Sequence, residues 1–328
     1  MTIAASHKAL IAIAAAAALA VPAGAAVAQA PMPLKIGYTP TGDTQMVLIK
    51  LKPEIARHVG KEYTVDFEEF RGTDMRFRAY LSGALTGATG SANSVMAAAS
   101  KGVDLVVVAS LCKESSKGFN TEFRVVDNSP IKTIADLKGK TIGINALNSS
   151  TQLWAKVLLD RAGLNPDRDV TFLVMNFAVQ PEALRSGKVD VAVLTQPFAH
   201  FEDVKGGSHV LFTAKTAMPY DEELQVLFFP REFLLKNGRV VRAFLEDLVL
   251  ATKYYLEKPE EARAALVDAK LIDVPKDVYF KMKDYYRAPD AKVDMDSLRQ
   301  MQDELIKAGY QKDRIDPAKL VDLSYLPN

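Results

Sequence analysis

The chain holds one cysteine, Cys112, in 328 residues, which excludes an internal disulfide and a cysteine-based metal site. Histidine is scarce: His7 lies near the start, His58 among charges, and His200 and His209 follow much later. No HExxH, GxSxG, Walker A or GxGxxG spacing occurs, so the enzyme classes those motifs carry have no support. The run Gly83 to Gly90 is glycine-rich but lacks a Walker lysine and crosses an expected strand, where it would let a ligand or helix approach closely. Neither charge sign is in excess. With a formal net charge of +1, the chain offers no electrostatic footprint for nucleic acid or acidic membranes.

Long apolar runs are also missing, with one exception. Lys8 precedes the run Ala9 to Val21, and the small-residue sequence PAGAAVAQA follows. This is the layout of a secretory signal peptide over 1–28, with cleavage expected after Ala26-Val27-Ala28. The run falls short of the ~20 residues that a membrane span needs, and Pro22 and Gly24 interrupt its end. No cysteine follows it, which argues against a lipid anchor. Loss of the leader removes only Lys8, leaving 40 basic against 40 acidic residues. An exported chain with a single thiol must rely on its core, as suits a bacterial periplasm.

What is present is a repeat. Residues 79–108 lie on 183–212 at a constant offset of 104, with Ala79 on Ala183, Ser82-Gly83 on Ser186-Gly187 and Gly102 on Gly206. Upstream, 34–51 lies on 140–157 at an offset of 106, with Ile36-Gly37 on Ile142-Gly143. Each half reads strand, loop, helix, second strand (Tyr63 to Phe70; Val170 to Val174), then helix, glycine turn and strand. Alternation of this kind predicts an α/β chain of two lobes, each a mainly parallel sheet flanked by helices. Helices are expected at Arg231 to Asn237, at Arg239 to Glu257, and near 259–269, 275–286, 294–308 and 317–322. The Arg239 to Glu257 segment has an apolar stripe at Val241, Phe244, Leu245, Leu248, Ala251 and Tyr255. If the chain crosses near 110–120 and returns near 214–226, this tail completes the first lobe. The expected division is 33–115 plus 217–328 for lobe I and 116–216 for lobe II.

In open α/β sheets ligands bind beyond the carboxyl ends of strands. Four loops are expected there: Tyr38 to Thr44 and Ser91 to Ser94 from lobe I, Asn145 to Thr151 and Thr195 to Phe198 from lobe II. The polar knot Asn148, Ser149, Ser150 and Thr151 begins a helix, where free amides and hydroxyls suit an anion or polar oxygen, although N-capping alone would also select these residues. Asp43, at the matching place in lobe I, either caps its helix or meets a cationic group. Arg71 and Lys113 are candidate countercharges, Tyr38 and Phe198 candidate walls, and Trp154 is expected in the core. Thr39 and Asn93 complete the candidate set within the two lobe I loops.

The segments IKTIADLKGKTIGI, SSTQLWAKVLLDRAGLNPDRDVTFLVM, EALRSGKVDVAVLTQPF and VVRAFLEDLVLATKYYLEKPEEARAAL together resemble the periplasmic substrate-binding proteins of ABC importers for sulfonates, taurine and nitrate, a group related to thiamine-precursor binders. The resemblance implies a type II periplasmic binding fold that closes on a small ligand and passes it to a permease in the inner membrane. By position it implies ligand contact at Ser91, Ser149, Ser150, Thr151 and Gln196. The expectation is a monomeric periplasmic receptor for a small polar, anionic solute, with no cofactor, metal or nucleic acid and no catalytic activity. The alternatives are an enzyme of thiamine-precursor type on the same scaffold, whose cysteine-rich motif is missing around Cys112, and a ligand-sensing partner of a membrane receptor.

Overall fold

The computed structural model describes residues 30–328 apart from 41, 71 and 273. The leader expected over 1–28 and the candidate Arg71 lie outside the described residues. Among the described residues the strands are, in chain order, β1 (Met32–Tyr38), β2 (Tyr63–Glu69), β3 (Gly87–Ser91), β4 (Val106–Glu114), β5 (Glu122–Val126), β6 (Thr141–Ile144), β7 (Thr171–Val174), β8 (Ala192–Leu194), β9 (Ser208–Thr213) and β10 (Glu222–Phe229).

Local sequence explains the strands. In β1 the alternate residues Leu34, Ile36 and Tyr38 are buried, while Lys35 turns outward to pair with Glu68 at 2.8 Å. Every residue of β4 is buried, as a strand covered on both faces must be, and its run of Val106 to Ala109 supplies the apolar surface.

The first sheet has the order β2-β1-β3-β10-β4; β1 runs parallel to β2 and β3, and β10 runs antiparallel to β3 and β4. Four strands therefore point one way and β10 points back. The second half repeats this plan. β6 pairs β7 in parallel, a parallel bridge Ile142↔Val191 joins β6 to the strand-edge residue before β8, and β5 runs antiparallel to β8 and β9. The resulting order β7-β6-β8-β5-β9 matches β2-β1-β3-β10-β4 strand for strand. The reversed strand of each sheet is the one that follows the other sheet's last strand: β4 leads into β5 and β9 into β10. Two connections, 115–121 and 214–221, therefore join the sheets.

The tail returns to the edge of the first sheet. Ser110 N donates to Ala291 O at 2.8 Å, Lys113 N to Tyr286 O at 2.9 Å, and Asp322 N to Val107 O at 2.9 Å. The two helices expected from Arg231 form one element, Arg231–Glu257, that kinks at Asn237 (φ −126°, ψ 26°), just before Gly238. All six residues of its apolar stripe are buried. Phe244 meets Tyr63 edge-on with ring centroids 5.4 Å apart. Burial of each large side chain of this kind stabilises the fold by about 1.5–3 kcal/mol.

Candidate functional site

The carboxyl ends of the two sheets face one cleft of about 50 Å3, room for a group of a few heavy atoms. Its lining comes from six strand ends. Thr39 and Gly42 follow β1, Gly72, Thr73 and Arg76 follow β2, and Ser91 ends β3. Asn145, Ser149, Ser150 and Thr151 follow β6, Phe177 follows β7 and Thr195 follows β8. Trp154, Leu224 and Tyr285 supply larger walls, with Thr121 and Gln225 between them.

The hydroxyl knot proves to have three separate tasks. Ser149 is the N-cap of the helix Ser150–Arg161, accepting from Gln152 N and donating to Ala146 O at 2.7 Å. Ser150 Oγ crosses to the first half, donating to Asn93 Oδ1 at 2.7 Å. Thr151 Oγ1 donates to Asn145 Oδ1 at 2.8 Å and lies 2.9 Å from Ser149 Oγ. Asn93 Nδ2 and Ser94 Oγ also donate to Asn148 O, at 3.2 and 3.0 Å. Asn148 holds a left-handed backbone (φ 58°), tolerable for asparagine, which turns that carbonyl toward the opposite half. Asn93 and Asn148 thus tie the two halves beside the cleft, and Ser91, Ser149, Ser150 and Thr151 line it. The helices starting at Thr73, Ala92 and Ser150 begin at this cleft, since Thr73, the cap residue Ser91 and Ser150 line it, and the first amides of a helix have no acceptors within it.

Arg76 is the charged group that sequence reasoning missed. It is 1% exposed, its guanidinium donates to Thr39 Oγ1, and its Nε has no protein partner. Burial lowers its pKa to about 10, with Asp43 opposing, so it remains a cation at neutral pH. Asp43 is fully buried at the cap position of the 3-10 turn Thr44–Val47, but its side chain makes no cap hydrogen bond. Its Oδ2 accepts from Thr89 Oγ1 at 2.5 Å and from Thr39 N at 3.2 Å. Burial raises the Asp43 pKa, while Arg76 and these hydrogen bonds oppose the rise. Of the two options for Asp43, the positive charge that acts on it is the protein's own Arg76, through space and with Thr39 as a shared hydrogen-bond partner, while Asp43 Oδ1 has no protein partner. Thr195 Oγ1 and Gln225 Oε1 are further buried cleft atoms without protein partners.

Several expected contacts lie elsewhere. Tyr38 is 2% exposed, packs against Phe67 with centroids 6.0 Å apart, and belongs to the core beside the helix Arg231–Glu257 rather than to a wall. Phe198 packs half-buried on the other core. Gln196 spends its amide on Lys283 O and His200 N and borders a smaller cavity with Asp284 and Arg287. Lys113 pairs with buried Glu223 at 3.0 Å, so it is not a cleft countercharge. Trp154, expected in the core, is buried yet lines the cleft. Arg76 and Phe177 had a legible signal, since they follow β2 and β7 at the same carboxyl edge. Thr121, Leu224, Gln225 and Tyr285 had none, because they arrive from a connection, from the reversed strand β10 and from the tail.

Among the described residues no cluster of His, Cys, Asp and Glu could hold a metal ion, and no helix is long and apolar enough to cross a membrane.

The protein-family model described as "NMT1/THI5 like" matches residues 64–262. A putative aliphatic sulfonates-binding protein of Escherichia coli K12 is 29% identical over 258 residues, 78% of this chain and 76% of that protein. The periplasmic aliphatic sulphonate binding protein SsuA of Escherichia coli superposes with a TM-score of 0.68 at 22% identity, covering 89% of this chain and 92% of its own. The nitrate-binding protein NrtA of Synechocystis PCC 6803 superposes at 0.72 with 14% identity, over 90% and 87%. These solved structures share the α/β fold of periplasmic binding proteins.

Proposed function

Because the chain belongs to the NMT1/THI5-like family, we propose that it is an extracytoplasmic solute-binding receptor that captures a small anion, a sulfonate, nitrate or related organic anion, and delivers it to an ABC permease of the inner membrane. The observation that carries this reading is Arg76: a buried cation with an unpartnered Nε in a cleft where three helices begin. A negative group there would accept from the guanidinium and from free amides at once. Trp154, Phe177, Leu224 and Tyr285 would shelter the remainder of the solute. The residues assigned to contact are Thr39, Arg76, Ser91, Ser149, Ser150, Thr151 and Thr195.

Lobe I is assigned to 33–115 plus 217–328 and lobe II to 116–216, closing about the two connections. Asn93 and Ser94 against Asn148 and Ser150 would latch the closed form. The receptor is read as a binder and not an enzyme, supported by relatives that are named as binding proteins. It is assigned to the periplasm as a monomer after cleavage behind Ala28.

Thermal-shift measurement with ethanesulfonate, taurine, nitrate and an aromatic carboxylate tests the reading. A ligand at a hundredfold excess over its Kd stabilises the folded form by about 2.7 kcal/mol, a shift of several degrees. No shift with any of the four would refute it. Small-angle scattering should show compaction at saturation, and mass spectrometry of the exported protein should find Gln29 as its first residue.

A further inference from the structure

Behind the cleft lie two carboxyl groups that the proposed function does not use. Glu114 on β4 and Glu222 on β10 are register partners across the antiparallel ladder, at the points where the chain leaves and re-enters the first sheet. Both are fully buried, at 1% and 0% exposure. Each is bonded to residues that line the cleft. Trp154 Nε1 donates to Glu222 Oε2 at 2.8 Å, and Glu222 Oε1 has no protein partner. Thr121 donates to Glu114 through N (2.9 Å) and Oγ1 (2.6 Å), and that hydroxyl lies 2.9 Å from Tyr285 Oη.

The surroundings leave this pair short of positive charge. Lys215, on the helix Ala214–Ala217, is the nearby cation, and it is committed to Asp221 at 2.7 Å. Tyr220 faces Glu222 from the returning connection, and Tyr285 from the tail and Cys112 from β4 face Glu114. None of these offers a second positive charge. The neighbouring Lys113 is paired with Glu223. Burial pushes Glu114 up to about 8, against its Thr121 bonds. Burial and then the facing Glu114 push Glu222 to about 8, against the Trp154 bond.

We propose that Glu222, backed by Glu114, is a positioning residue of the cleft: its carboxyl holds the Trp154 indole behind the solute, and anion capture requires this pair to be protonated. Two ionised carboxylates one residue behind an anion would repel it, whereas a protonated pair keeps the indole in place without a charge. Being a regulation of the proposed site, the proton linkage rests on the receptor reading; the titration of Glu222 does not.

The chain has a single tryptophan, so Trp154 emission reports on its partner with no ligand present. In the ligand-free wild type, emission should change near pH 8, and Glu222→Gln, which keeps an acceptor for the indole, should abolish the change. Glu114→Gln should move the change to lower pH by removing the facing charge. A flat wild-type profile, or a change that persists unaltered in Glu222→Gln, would overturn the assignment. For the linkage, calorimetry with ethanesulfonate and with nitrate should show affinity falling by about tenfold or more from pH 7 to pH 9 in the wild type and remaining constant in the double variant Glu114→Gln, Glu222→Gln. A pH-independent wild-type affinity would overturn the linkage, and absence of binding to either anion at every pH would overturn the receptor reading, with the ligand-free titration still deciding the role of Glu222.

Discussion

Replacement of Arg76 by methionine separates what the guanidinium does for the solute from what it does for the fold. Methionine approximates the buried stem but has no charge. Arg76 is 1% exposed, and its guanidinium donates to Thr39 Oγ1. Removing a charged donor from a desolvated anion site costs about 3 kcal/mol of binding, roughly 150-fold in Kd. The same change removes from buried Asp43 the nearby positive charge that opposes the cost of its burial, which would cost about 1–3 kcal/mol of stability at neutral pH. Asp43 retains Thr89 and Thr39 as donors and can escape part of this cost by taking up a proton. Its folded pKa is already raised by burial, and Arg76 opposes that rise. Without Arg76 the folded state binds the proton more tightly still. The instability of Arg76→Met should therefore grow as pH rises above the range of an unfolded carboxylate and shrink toward acid. Adding Asp43→Asn should restore most of the stability, because the buried charge is gone, but none of the affinity. Urea unfolding between pH 5 and pH 8 and calorimetry with ethanesulfonate measure the two halves of this cycle. If the double variant regained affinity along with stability, the guanidinium would be a structural countercharge only, and the anion site would have to lie elsewhere.

Three further substitutions probe the frame of the site. Ser150→Ala removes the bond to Asn93 across the cleft; it should weaken binding by about 1 kcal/mol, mostly as faster release in stopped-flow, and an unchanged release rate would deny the latch. Gly118→Ala places a Cβ 2.4 Å from Tyr286 N and 2.9 Å from Tyr285 C; because backbone cannot yield, the urea midpoint should fall by an amount equal to about 1–3 kcal/mol, and an unchanged midpoint would contradict that packing. Tyr63→Phe deletes the 2.7 Å bond to Asp247, a carboxylate that also accepts from the amides of Arg57, His58 and Val59. It should cost about 1–2 kcal/mol of stability with no change in ligand affinity, and so serves as the control for effects transmitted through the fold.

Much of the architecture was legible in the chain itself. The offsets of 104 and 106 found the repeat because strands and glycine turns depend on local pattern, and the structure gives both halves the same strand order. The stripe from Val241 to Tyr255 predicted a buried helical face, since a period of 3.6 residues places those side chains on one side whatever they meet. The start of the helix at Ser150 was legible for the same local reason, a serine cap.

The facing of individual side chains was not. Tyr38 and Arg76 both lie at the carboxyl edge of the first sheet, yet one turns into a core and the other into the cleft, a choice made by Phe67 and by Thr39 and Asp43. Gln196 and Phe198 follow β8 as expected but are claimed by Lys283 and His200 and by the core. Arg76, Trp154 and Tyr285 meet around the cleft although Arg76 and Tyr285 are 209 positions apart in the chain, and Glu114 faces Glu222 only because β10 returns antiparallel beside β4. Sequence alone determined the elements and their order, which arise from periodicity within a few residues; tertiary structure decided which polar groups are buried together, because desolvation and charge depend on neighbours brought from distant parts of the chain.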